Sequence, residues 1–220
     1  MKPHHTVFNC QREPQIHIDK RSAHHQAGRA AAIYLGNKLK QLPAVHFQIT
    51  IKQQDAEGRS FSRLLDKYAA KVEGGRLIQS LPLSFAELTQ NFSWHQKEEF
   101  RCAFEADVIN VLAGSLAEAK YIALRDDEVF NANLVNIAAL RFYGGSSDIE
   151  LITDYMECFI SDKAERDRKL IELFLAAFSF VNKHRNWRAI TGLAKYICEQ
   201  PKTVIGCEEV IALLESRLAA

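Results

Sequence analysis

The cysteines of this 220-residue chain show no pairing pattern. Cys10, Cys102, Cys158, Cys198 and Cys207 are odd in number, scattered, and never form a CxxC pair. That argues against a disulfide framework or a zinc knuckle, and for reduced, mostly buried thiols. An excess of one charge is also missing. With 28 basic and 27 acidic residues the formal net charge is +1, which gives no field for nucleic acid or an anionic membrane. Long hydrophobic runs are absent too. The longest, "LFLAAFSFV" at 173–181, falls far short of the ~20 residues needed to span a bilayer. The opening "MKPHHTVFNCQREPQ" lacks the apolar core of a secretory leader, so a cytoplasmic chain is expected. There is no GxxxxGK[ST] loop to cradle nucleotide phosphates and no GxSxG elbow to present a serine nucleophile. Internal repeats and low-complexity linkers are lacking as well.

What remains is an ordinary globular composition, 47% hydrophobic and 25% charged, long enough to bury a real core. Residues 1–21 read as a poorly ordered lead-in and 22–220 as one domain. From Ser22 to about Leu42 the pattern is helical, with Ala27, Ala31, Tyr34 and Leu35 at spacings of three and four, and Pro43 ends it. "AVHFQITIK" at 44–52 alternates Val45, Phe47, Ile49 and Ile51 on one face, a strand signal, and "GGRLIQSLPLS" at 74–84 offers a partner strand. Helices are then expected at about 96–123, with Phe100, Phe104, Val108, Val111 and Leu112 on one face, and at 130–142. Another starts at a Ser147/Glu150 capping box, and three more span about 163–184, 186–199 and the segment after Pro201. The fold class is therefore mainly α (α+β): helices with a small β element near residues 44–84.

One stretch carries chemical interest. "HHQAGR", residues 24–29, has the outline of an HExxH zinc-protease helix. His25 is in place, but Gln26 stands where the catalytic Glu belongs and Arg29 where the second His belongs. His4, His5 and His17 have no evident partner. His95 beside Glu98 and Glu99 reads as a solvated helix start, and Phe174, Phe178 and Phe180 read as core aromatics.

Five strings, in order, resemble the peptidase domain of the FtsH family of ATP-dependent zinc metalloproteases. They are "HHQAGRAAAIYL", "VHFQITI", "VINVLAGSLAEAKYI" with Ala113, Gly114, Ala117 and Glu118, "GGSSDIELITDYMECFI" with Asp148, and the closing "NWRAITGLAKYICEQPKTVIGCEEVIALLE". The resemblance spans about residues 22–216 and implies a helical peptidase-like domain without its ATPase module. It puts His25 and Asp148 at two family zinc-ligand positions, Gln26 at the general base, and Arg29 at the remaining ligand.

The departures from that pattern have chemical consequences. A Gln cannot take a proton from water, and an Arg offers no lone pair to zinc and repels it. Two ligands are left where a catalytic site needs three plus water. The expectation is thus a domain with the zinc site of His25-Gln26-Ala27-Gly28-Arg29 dismantled, no catalytic residue and no cofactor. An Arg29–Asp148 ion pair is expected in the metal's place, against the alternative that Arg29 is solvated and Asp148 caps its helix. Such a domain works by binding a polypeptide or protein partner, or by assembling with itself, since the resembled family forms rings. No nucleic acid, membrane or nucleotide partner is expected.

The competing reading is an active zinc metallopeptidase with a non-standard ligand set, using His24 or a rearranged His and a base from Glu98, Glu99 or Glu118. A third is an unrelated helical bundle, which the absence of a strand at Val45–Ile51 would favour.

Overall fold

The structure, a computed structural model, describes residues 17–53, 67–81, 84–200 and 202–219. His4, His5, Cys10 and most of the expected lead-in lie outside these residues. Residues 17–21 of that lead-in belong to the described fold. β1 (His17–Ile18) pairs in parallel with a later strand, and Asp19 caps the first helix by accepting from the Arg21 N–H at 3.0 Å.

α1 (Lys20–Ala31) runs through a π-helical turn (Ala32–Gly36) into the short α2 (Asn37–Leu39). Gln41 then turns the chain at φ 55° and the Leu42 N–H closes on the Asn37 carbonyl at 3.0 Å, one residue before Pro43.

β2 (Phe47–Gln53) forms where the alternation predicts, with Phe47, Ile49 and Ile51 buried. The strand on which the unrelated-bundle reading turned is therefore present. Its partner is not the 74–84 segment. β3 (Lys67–Gly74) ends where that strand was expected to begin, pairing antiparallel to β2 with Ile49 opposite Val72 and Ile51 opposite Ala70. β4 (Val204–Ile205) pairs antiparallel on the far side of β2, giving the order β1-β3-β2-β4.

A short α3 (Phe85–Leu88) leads to α4 (Trp94–Arg125), which Ser93 and Gln96 start as a capping box. α4 was expected to bury one face, but from Phe104 to Lys120 nearly every residue is buried. It is the central rod of the fold, packed by α1, α5 and α6.

The helix expected at 130–142 is absent. That segment is a series of turns ending in a 3-10 turn (Ala139–Phe142), because Asn131 and Asn136 bind backbone N–H groups locally, those of Asn133, Leu134 and Ala139.

α5 (Ser146–Phe159) begins at Gly145 without a side-chain cap, so the Ser147/Glu150 capping box does not form. α6 (Lys163–Asn182), α7 (His184–Glu199) and α8 (Cys207–Ala219) complete the chain. Among the described residues no helix is long and apolar enough to cross a membrane.

α1 crosses α4 at very short range. A Cβ on Gly28 would sit 2.4 Å from the Ala117 Cβ and 2.6 Å from the Ala113 carbonyl oxygen. Only glycine opposite alanine allows this approach, and the approach brings the α1 side chains against those of α4.

Candidate functional site

α1 carries His25 and Arg29 one turn apart on one face, α4 supplies Ser115 and Glu118 one turn apart, and α5 supplies Asp148 from its first turn. All three elements meet around the His25 ring. Its Nδ1 lies 3.1 Å from Glu118 Oε2 and its Nε2 3.0 Å from Asp148 Oδ2. His25, Glu118 and Asp148 are all buried. An imidazole bonded to a carboxylate at each nitrogen is an imidazolium donating both ways. Burial pushes the His25 ring toward neutrality, but the bonds to Asp148 and Glu118 outweigh this and raise its pKa to about 9.

Further groups complete the network. Arg21 places Nε and Nη2 on Glu118 Oε1 at 3.1 and 2.9 Å. The Ser115 hydroxyl donates to Asp148 Oδ2 at 2.9 Å. Arg29 Nη1 stands 3.6 Å from Asp148 Oδ1. The guanidinium is thus in ion-pair range, but longer than a charge-assisted hydrogen bond of ~2.7–2.9 Å. The direct partner of Asp148 is His25. Burial pushes the Asp148 carboxyl up, and His25, Arg29 and Ser115 together more than offset this, holding it below the usual carboxylate range. Gly144, at φ +68°, seals the site from the loop before α5. A Cβ there would lie 2.7 Å from Glu118 Oε2 and would have to displace that carboxylate.

Gln26 faces a different way. Its Oε1 accepts the Val72 N–H of β3 at 2.8 Å, so the side chain ties the helix to the sheet. His24 packs away from His25, stacked on Tyr121 at 4.1 Å and near Trp187 at 5.8 Å, with Nδ1 donating to the Lys20 carbonyl at 2.7 Å. Burial lowers its pKa and keeps it neutral. It does not line the cleft around His25. Glu98 and Glu99 lie at the start of α4 beside a separate groove, and His95 pairs there with Glu99 at 3.3 Å on an exposed surface.

The residues that the resemblance puts at zinc-ligand positions do not fit the ion. Both His25 nitrogens are engaged by carboxylates lying on opposite sides of the ring, Arg29 brings a positive charge, and Gln26 is turned to Val72. Among the described residues no three His, Cys, Asp or Glu side chains converge as a metal-holding group.

An open cleft of about 500 Å³ covers this network, lined among others by Arg21, Arg29, Lys71, Ser147 and Asp148. The sequence pointed to His25, Gln26, Arg29 and Asp148, gave Glu118 as part of a resembled motif and as a substitute base, and did not mark Arg21 or Ser115. A lone carboxylate inside the apolar "VLAGSLAEA" run was the available signal, since an unpaired Glu is almost never fully buried. Nothing comparable marked Arg21.

Compared with protein-family models, with curated proteins and with solved structures, the chain matches none.

Proposed function

We propose that this is a non-catalytic domain of FtsH-peptidase type, in which an internal ion network stands where the zinc centre would be and the cleft above it receives polypeptide. The observation that carries this reading is the His25 ring held between Glu118 and Asp148. A zinc ligand needs a free nitrogen lone pair, and this ring has none to give while both carboxylates hold it. Gln26 adds to the argument, since a neutral amide bonded to a strand N–H cannot serve as a base.

Polypeptide is the ligand class that the cleft favours. Ala69, Ala70 and Lys71 of β3 line it, and β1 pairs only with residues 67 and 68 of that strand. The Val72 N–H faces Gln26, so two residues along the backbone groups of Ala70 face the same edge. An extended segment can pair there, over a length that the Gln26 bond limits.

The test is metal content after incubation with zinc and dialysis, together with a casein-cleavage assay. Less than about a tenth of an equivalent of zinc and no cleavage is the expected result. Near one equivalent, lost on His25→Ala, would overturn the reading in favour of a metallopeptidase with an unusual ligand set.

A further inference from the structure

Arg29 is the largely buried cation of the cleft that no hydrogen bond satisfies among the described residues. Its side chain is only 15% exposed, and its one charge contact among the described residues, Asp148 Oδ1 at 3.6 Å, lies beyond hydrogen-bonding length. A guanidinium carries five N–H donors in a flat fork, and burying them without acceptors is costly. Asp107 attracts it from further off and Arg76 opposes this, while the nearer carboxylates are already taken. Asp148 Oδ2 already takes His25 and Ser115, and Glu118 is held by Arg21 and His25. Lys71 of β3 lines the same cavity, exposed and without an ion-pair partner among the described residues. The Ser22 and Ser147 hydroxyls line it as well.

We propose that Arg29 and Lys71 form a receptor for a carboxylate, the terminus or an acidic side chain of a polypeptide lying in the cleft. This deepens the polypeptide-binding reading above and rests on it. The flat fork of Arg29 matches a carboxylate through two parallel bonds, and the Lys71 ammonium closes on it as a point charge. A singly charged group is selected over a doubly charged phosphate because Glu118 and Asp148 line the same cavity and repel the extra charge.

The experiment compares three probes on the full chain: acetyl-trialanine with a free carboxylate, the same peptide as its amide, and inorganic phosphate. Binding is read by calorimetry and by the Arg29 Nε–H resonance. The free acid is expected to bind at least about tenfold tighter than the amide, as a charge-assisted pair requires. Lys71→Gln, an exposed change that leaves the His25 network intact, is expected to remove most of that difference. Equal binding of acid and amide would overturn the receptor while leaving polypeptide in the cleft, and phosphate binding tighter than the acid would overturn it as well. No binding of any probe up to about 10 mM would overturn both readings.

Discussion

His25 Nε2 lies 3.0 Å from Asp148 Oδ2, and this bond joins α1 to α5 across the buried end of the cleft. The ring's other nitrogen binds Glu118 of α4, so a single side chain links three helices. Its protonation therefore governs how the helices are held, and its folded pKa of about 9 stands above the ordinary 6.5. A raised value means that the stabilisation is complete below pH 6.5 and is lost as the pH climbs through about 9. The depressed Asp148 acts in the opposite sense, its contribution present above its ordinary 3.8 and lost as pH falls below it. Denaturant melts are expected to show stability dropping between pH ~7 and ~10, on the order of 3 kcal/mol. His25→Gln should abolish most of that alkaline loss. A stability curve that stays flat through pH ~9 would show that the imidazole is not charged in the fold.

Removing the ring altogether is a harsher test. His25→Ala leaves two buried carboxylates, with Arg21 on one and Arg29 at 3.6 Å from the other. Breaking a buried pair by deleting one partner costs roughly 3–5 kcal/mol. Urea unfolding of the variant should show that loss at neutral pH and recover part of it in mild acid, where a carboxylate takes up a proton. A change below about 1 kcal/mol would mean that the network contributes nothing to stability.

Gly28→Ala tests the helix crossing. In an isolated helix this change is favourable by up to about 1 kcal/mol. Here the added Cβ would lie 2.4 Å from the Ala117 Cβ, so a net loss of roughly 1–3 kcal/mol is expected. The thermal midpoint should fall, and Ala117→Gly in the same chain should return part of it. An unchanged midpoint would mean that α1 and α4 are further apart than described.

Arg29→His asks whether the zinc positions are spatially sound. It would put a second imidazole one turn from His25 and facing Asp148, the ligand count of a catalytic site. The variant is expected to retain close to one equivalent of zinc, the ion displacing the proton that His25 Nε2 shares with Asp148, while Gln26 still offers no base. Retention no better than that of the unaltered chain would count against the resemblance to zinc peptidases.

Much of this fold is legible in the sequence where one physical signal dominates. β2 is an example, because Phe47, Ile49 and Ile51 alternate with polar residues and face a single core. β3 reads as "KYAAKVEG", whose small Ala69 and Ala70 carry no pattern strong enough to mark a strand, and its register is set by β2. The helix expected at 130–142 does not form because Asn131 and Asn136 compete for the backbone N–H groups. At the site, the resemblance put Arg29 opposite Asp148, and the two lie 3.6 Å apart. That His25 holds Asp148 more closely, and Glu118 as well, depends on a helix crossing set by Gly28 and Ala117, which no local pattern encodes.

The packing of α1 has a consequence in time. Its inner side rests on α4 and it touches β3 and α5, but its largest remaining neighbour is α7, and β2 is edged by β4. The partners that enclose the first helix thus emerge from the ribosome after residue 184. At ~5–20 residues per second, α1 must wait on the order of ten seconds or more after synthesis before it can be enclosed. During that interval its alanine-rich face is open to whatever else binds apolar helices, so the vulnerable stage of this chain comes before its last helices are made.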